Sequence, residues 1–550
     1  MKENIIITIK NIDKFIIKEN STIKELLKQV ENTEDVIAAT INGEVVELSH
    51  ELTKDTELTL IRTKDRIGRK IYRSGLKYLY ITAIKELYGA ETNVSLLHSI
   101  DKGIYTYLDK ENITDETINE IKEKMRELVE KDLPIERVST SRKSAIKYFE
   151  SINETEKVES YKQMSSEFVT LYELLEYYNY FYYFMPISTG ILKEFDLTRL
   201  NSHGIVLRYP SDLDNKIPKY NNVPAVLNEF NTYREWCELV KIRYLSDINN
   251  IVINSKIREF IQLNEMKQNE DLRKIGDYIA ENKNKLKLIL IGGPSSSGKT
   301  TTSKKMALEL KARGINPFIL SVDDYFLNRK ETPKDSEGNY EYDIIEAIDI
   351  NLFNEHLTKL LNGESVKIPS YNFVTGEKEY KKPSVSLKDR DMIIIEGLHT
   401  LNEKLTNSIK RENKLKIYIS PFTPLGLDRH NHISTVDMRL IRRMVRDNSK
   451  RGYNAETTLK NWRIVRRAEE KYVFPYQNEA DIVFNTALIY EIGILKTYAI
   501  PLLYSVKVDS EYYEEALRLI NFLKGFFNIP VDILPNTSVL REFVGNSYFE

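Results

Sequence analysis

The sequence predicts a multidomain α/β protein whose C-terminal half is a parallel sheet with helices on both faces. Three observations carry this. At 550 residues the chain exceeds what one hydrophobic core supports and implies roughly three or four domains. From Lys285 onward, apolar runs at 286–291, 317–322, 392–395, 415–419 and 482–484 alternate with helical segments, as buried parallel strands do. Ahead of them the pattern differs: β-rich over 1–62, mixed over 63–225, helical and charged over 226–284.

The bulk composition narrows the function classes. With 41% hydrophobic and 29% charged residues the chain fits a soluble globular protein. A formal net charge of −2 gives no global argument for binding nucleic acid or a membrane. The lone Cys237 excludes an internal disulfide and a cysteine zinc cluster, and fits the cytoplasm. The apolar stretches at 177–186 and 487–504 are too short, or interrupted by Glu491 and Lys496, to span a bilayer. Residues 1–10 lack the apolar core of a signal peptide. No solenoid-period repeat or low-complexity tract occurs.

Within 1–62, β-branched runs at 5–9 and 13–17 precede helical spacing over 22–30, with Ser21 as the expected N-cap. Apolar pairs at 38–41 and 45–48 flank Asn42-Gly43, the signature of a type I′ hairpin, and 57–61 reads as a last strand. In the middle region, Ile118, Ile121, Met125, Leu128 and Val129 mark one face of a helix over 118–131. Residues 505–550 read as one more strand–helix piece and a tail.

Gly293-Pro-Ser295-Ser296-Ser297-Gly298-Lys299-Thr300 has P-loop spacing between an apolar strand and a helix from Thr301. Its glycines permit the tight backbone, and its amides, with the helix N-terminus, face phosphates. Lys299 suits the β/γ-phosphates and the Thr300 hydroxyl suits Mg²⁺. Asp323 and Asp324 follow the second strand, where a carboxylate either accepts a hydroxyl proton or sits in a solvated turn. Glu396 ends a buried strand and either holds the metal or caps the next helix. Arg439, Arg442, Arg443, Arg446 and Lys450 recur at helical spacing. They form a solvated basic face, a lid over the transferring phosphoryl or, less well without interleaved aromatics, a nucleic-acid groove; beside a P-loop the lid is the favoured reading.

Together these segments resemble the uridine kinase and phosphoribulokinase family over about residues 285–490. The ordered set is Asp323-Asp-Tyr-Phe326, Tyr342-Asp343 through Asp349, Ile368-Pro-Ser-Tyr371-Asn-Phe373, Glu396-Gly397, and Arg439 through Asp447 with Arg451-Gly452. The resemblance implies Asp323 as general base, Asp343 on ribose hydroxyls, Tyr371 near the base, Arg443, Arg446 and Arg451 as lid arginines, and Asn461 facing the nucleoside. It also implies ATP with Mg²⁺ on Thr300, Glu396 and Asp323, and an ATP site over Gly293 to Thr301. Three positions depart from it. Asn372 stands for an aspartate, Gly376 for a base-contacting histidine and Tyr453 for an arginine.

The N-terminal half resembles the front of threonyl-tRNA synthetase: 1–62 a TGS module of β-grasp fold, 63–225 the α+β editing-type domain. The carrying segments are Gly103-Ile-Tyr-Thr-Tyr107, Asp132-Leu-Pro-Ile-Glu-Arg137 and Ser188-Thr-Gly190. The whole looks like a bacterial class of TGS-containing nucleoside kinases. The synthetase's metal-site positions fall here on Arg73, Lys77, Phe181 and Met185, so no metal and no editing activity are expected. The resemblance leaves RNA contact open, without support from charge. The expected domains are 1–62, 63–225, a connector 226–284, a kinase 285–504 and an extension 505–550. The expected activity is transfer of the ATP γ-phosphoryl to a nucleoside, uridine or cytidine first. The alternatives are a GTPase or RNA-linked regulatory ATPase, and a sugar kinase of the phosphoribulokinase type. No Asn-Lys-x-Asp for guanine occurs, and Asp335-Ser-Glu-Gly338, of Asp-x-x-Gly spacing, lies in a polar loop.

Overall fold

The computed structural model describes residues 4–550 except 111, 212–214, 335–337, 339, 373, 374, 389 and 390. Phe373, and Asp335, Ser336 and Glu337 of the Asp-x-x-Gly spacing, therefore lie outside the described residues.

The first unit is a five-stranded mixed sheet, in the order Lys14–Lys18, Asn4–Ile9, Thr56–Arg62, Val36–Ile41, Glu44–Val46. Alternation along Asn4–Ile9 turns Ile5, Ile7 and Ile9 onto the helix Ile23–Leu27, which answers with Ile23, Leu26 and Leu27. Asn42 and Gly43 both adopt positive φ (52° and 82°), as a type I′ turn requires. The helix cap differs from expectation. Ser21 pairs with Leu52 in a short ladder, and Thr22 caps instead, its hydroxyl accepting from Glu25 N while the Glu25 carboxylate accepts from Thr22 N.

In the second unit the helices Arg66–Tyr88 and Asp115–Glu130 share one apolar core with a four-stranded sheet that includes Gly103–Leu108. Ile118, Ile121, Met125, Leu128 and Val129 are buried as their spacing predicts. Asp132 accepts from Gly190 N, and the Thr189 hydroxyl from Leu133 N, so two of the segments quoted above are tied together. A smaller three-stranded sheet, Glu136–Ser141, Phe168–Leu174 and Tyr177–Asn179, packs with the helices Arg142–Ser151 and Thr155–Lys162.

The C-terminal sheet is wholly parallel, in the order Asn316–Ser321, Asp391–Gly397, Leu288–Gly292, Lys414–Ser420, Ile482–Asn485. Each strand falls within two residues of an apolar run in the sequence. Leu288–Gly292 is buried at every position because helices cover both faces, so it cannot alternate. It lies mid-sheet: the chain leaves it toward Asn316–Ser321 on one side and leaves its neighbour Lys414–Ser420 toward Ile482–Asn485 on the other, and ligands bind at such a switch point.

Residues 505–550 hold no strand among those described, against expectation. Val506 looks strand-like, but Ser505 and Val506 donate to Leu502 and Leu503 carbonyls and close the helix Glu491–Tyr504, and Val506 drops into the core. The helix Tyr513–Lys524 follows. One apolar core joins it to the helices Pro224–Leu239, Leu245–Ile253 and Ile257–Glu281 and to Leu440, Ile441 and Met444 of the helix Thr435–Arg451.

A short hairpin, Gly426–Asp428 with Asn431–His432, sits on the second unit just ahead of Thr435–Arg451. Its Arg429 carbonyl accepts from Leu96 N at 2.7 Å, and its guanidinium clamps Glu156 at 2.6 and 2.9 Å. His430 is buried 2.7 Å from Lys157 Nζ, and burial, then that ammonium, holds its imidazole well below its usual pKa. Of the four metal-site positions, Phe181 packs on Tyr78 and Met185 lies in the apolar core. Arg73 lies 4.4 Å over the Tyr209 ring, and burial lowers Lys77 to about 8.

Candidate functional site

The loop after Leu288–Gly292 curls over the N-terminus of the helix Lys299–Lys311. Gly293 and Gly298 are required there. A Cβ on Gly293 would meet the Ile419 carbonyl at 2.2 Å, and Gly298 holds φ +87°. Lys299 Nζ bends back to the Gly293 and Pro294 carbonyls, 3.0 Å each. Burial lowers its pKa, with Glu396 and Asp323 pulling the other way. Thr300 is exposed to solvent.

The carboxylates come from strand ends. Asp323 follows Asn316–Ser321 in a single 3-10 turn, in a cleft open to solvent yet walled by protein. Burial raises its carboxyl, against Lys299 and with Asp324. Glu396 lies in the adjoining strand, accepts from Ser321 Oγ at 3.0 Å, and is pushed up to about 7 by burial and by Asp323. Two repelling carboxylates near Lys299, which directly precedes the exposed Thr300, fit a divalent cation: Asp323, Glu396 and Thr300 would hold it, with water completing its shell. Bound there, Mg²⁺ would supply charge for the phosphates; the residues supply its seat.

Thr435–Arg451 divides its arginines into two sets. Arg439 and Arg442, read above as part of a lid, are fully buried behind the loop. Arg439 pairs bidentately with Glu469 at 2.6 and 2.9 Å and donates to Ser295 O, while Glu469 also accepts from Ser295 N. Arg442 pairs with Glu491 and donates to Thr486 O, and the Thr486 hydroxyl donates to Ser297 O. These residues hold the loop carbonyls and cannot reach a transferring phosphoryl. Arg443, Arg446 and Arg451 are gathered instead by the buried Asp447, at 3.1, 3.4 and 3.3 Å, and Arg443 also donates to Ser295 Oγ at 2.7 Å.

On the acceptor side, Asp343 is raised by burial, with Arg443 opposing and Glu469 and Asp323 adding. Tyr371 N donates to Asp324, and its ring lies 5.5 Å from Phe326. Gly376, at φ +75°, leaves a space that Arg329 fills: a Cβ there would meet its Nε at 2.7 Å, and that Nε donates to the Tyr342 hydroxyl. Asn461, half-exposed on Ala455–Tyr472, shows no hydrogen bond to this cluster. The sequence reading thus placed Lys299, Asp323, Glu396, Asp343 and Arg443 in one site. It missed Glu469, which stands beside Glu470 in a charged helical run, and Glu491 and Thr486, each a single polar residue in a mostly apolar one.

Residues 288–491 match the Phosphoribulokinase / Uridine kinase family. Uridine kinases of Staphylococcus aureus strains JH9 and Newman are each 27% identical over 197 residues, covering 36% of this chain and 86% of theirs. Two solved structures align over part of the chain. A candidate fructose transport system kinase from Silicibacter sp. TM1040 has 18% identity, covers 38% of this chain and 98% of its own, and has a TM-score of 0.28. A protein described as a possible uridine kinase from Bacillus stearothermophilus has 22% identity, covers 39% of this chain and 100% of its own, and has a TM-score of 0.24. The C-terminal region holds a kinase domain of the matched family, which supports a phosphotransferase. Among the described residues no helix is long and apolar enough to cross a membrane.

Proposed function

We propose that the protein is a cytoplasmic ATP- and Mg²⁺-dependent kinase that phosphorylates the primary hydroxyl of a nucleoside-like acceptor, uridine or cytidine first. The juxtaposition of Lys299, Asp323 and Glu396 with the arginines on Asp447 carries this reading. Phosphoryl transfer needs positioning and charge stabilisation rather than covalent chemistry, and these groups supply both. Asp323 takes the proton of the attacking hydroxyl, Lys299 and the arginines face the charged oxygens, and Asp343 holds the vicinal diol. In this reading the N-terminal units, TGS-like and editing-like, are retained binding or packing elements. Transfer of label from γ-³²P-ATP to a panel of nucleosides and sugars tests the proposal. Hydrolysis without transfer to any alcohol contradicts it, and transfer to a sugar alone replaces the acceptor class.

The raised carboxyls give a pH signature. In the free enzyme kcat/KM falls as pH drops through about 7, where Glu396 takes up a proton. Mg²⁺ favours the ionised forms, so raising Mg²⁺ moves this acid limb to lower pH. A limb indifferent to Mg²⁺ would remove Glu396 from the metal seat.

Arg329 bears on acceptor choice. Its guanidinium offers donors only, among the rings of Phe326, Tyr342 and Tyr371. Such a group matches the adjacent O2 and N3 acceptors of cytosine better than the N3–H of uracil. Arg329→Ala is expected to raise the KM for cytidine about tenfold while leaving the ATP Kd unchanged. An unaltered acceptor KM contradicts the assignment.

A further inference from the structure

The last residues of the chain return to the phosphate loop. After the helix Tyr513–Lys524 the backbone passes Val531–Ile533 and turns into Arg541–Val544, against the arginine-bearing helix. There one oxygen of Glu542 accepts two hydrogen bonds from Thr301, from its backbone N at 3.2 Å and from its hydroxyl at 2.8 Å. Val539 lies over Gly298, its Cγ1 2.7 Å from where a Cβ would stand. Two clasps fasten the end of the chain: Lys304 donates to the Phe549 carbonyl, and Lys450 pairs with Glu550.

Thr301 N and Oγ1 point from the first turn of the loop's own helix, the end that draws anions. A P-loop gives such donors to the α- and β-phosphates. A second carboxylate also touches the loop, but differently. Glu469 accepts from Ser295 N with its charge matched by a bidentate Arg439. Glu542 has no basic side chain within ion-pair distance among the described residues, yet lies near enough to Lys299 and Arg446 to bear on their charge. It is an unbalanced anion on donors built for anions.

We propose that residues 536–550 form an autoinhibitory strap, with Glu542 occupying the place of a nucleotide phosphate on Thr301. A carboxylate and a phosphate cannot share these two donors, so nucleotide binds only when the strap lifts. The observed affinity is then the intrinsic one reduced by the fraction of molecules with the strap open. The strap is continuous with a helix whose Glu515 pairs with Lys70 and Arg66. It therefore links the phosphate site to the N-terminal half.

The inference rests on the nucleotide-binding role of the loop, and the test separates the two. Binding of Mg-ADP is measured by calorimetry on the full chain with Lys299→Ala, Glu542→Gln and Glu542→Ala, alongside backbone hydrogen exchange of residues 536–550. Two charge-assisted bonds make the closed state worth about a hundredfold in affinity. Glu542→Gln and Glu542→Ala are expected to lower the Kd by about that factor, and saturating nucleotide to speed exchange in the strap of the unmodified protein. Unchanged or weaker binding in both Glu542 variants, or slower exchange with nucleotide, overturns the strap and makes Glu542 a plain helix cap or part of the nucleotide clamp. If the unmodified protein binds no nucleotide, or Lys299→Ala binds it equally well, the role of the loop itself fails.

Discussion

Asp323→Asn is expected to lower kcat by about 10²–10⁴-fold with little change in ATP affinity, the range that removal of a positioned general base gives. The substitution keeps size but turns the proton acceptor, and a charged ligand of the proposed metal seat, into a neutral amide. Because Asp323 helps to raise Glu396, the same change is expected to lower the Glu396 pKa and shift the acid limb downward. Lys299→Ala is the companion measurement. It removes the charge facing the β/γ-phosphates, so affinity and turnover fall together. Near-full turnover in Asp323→Asn would move the base elsewhere, with Asp324 the neighbour to examine, since it is engaged by Lys382 and Tyr371 N.

Arg442→Met is expected to cost about 3–5 kcal/mol and lower the melting midpoint by roughly 5 °C or more, because it strands the Glu491 carboxylate in the core. Burial already pushes that carboxyl up, and Arg442 opposes the shift. The informative partner is Arg442→Met with Glu491→Met. Replacing both members of a buried pair by apolar groups is often neutral, so stability should largely return. Nucleotide affinity should not return, since Arg442 also donates to Thr486 O beside the loop. Recovery of both in the double variant would reduce the pair to a packing element.

The sequence told most where chemistry and geometry coincide within a few residues. The loop from Gly293 to Thr300 is set by local backbone needs, and the strands beside it by uninterrupted apolar runs, so both were legible. Asp323 and Glu396 were legible because strand ends in a parallel sheet point to one edge. The roles of the arginines were not. Arg439 and Arg443 lie one turn apart on one helix, yet one is buried on Glu469 and the other faces the cleft. What separates them is which side of Thr435–Arg451 meets the phosphate loop, and that is settled by packing against distant elements. Arg329 shows the same limit: nothing adjacent in sequence links it to Gly376. The strand expected after 505 does not form because the preceding helix claims the backbone donors of Ser505 and Val506.

The hairpin carrying Arg429, His430 and His432 bears on how such a chain can be divided. Its polar tip has no water to return to: Asp428, His430, Asn431 and His432 are all buried, and the partners of Arg429 and His430 lie more than two hundred residues earlier. A kinase region severed near residue 285 would present this tip and its apolar surroundings to solvent together. The kinase region is therefore expected to depend on the second unit for its own stability. A change at Glu156 or Lys157 in the second unit is felt at the hairpin that leads into the helix carrying the arginines.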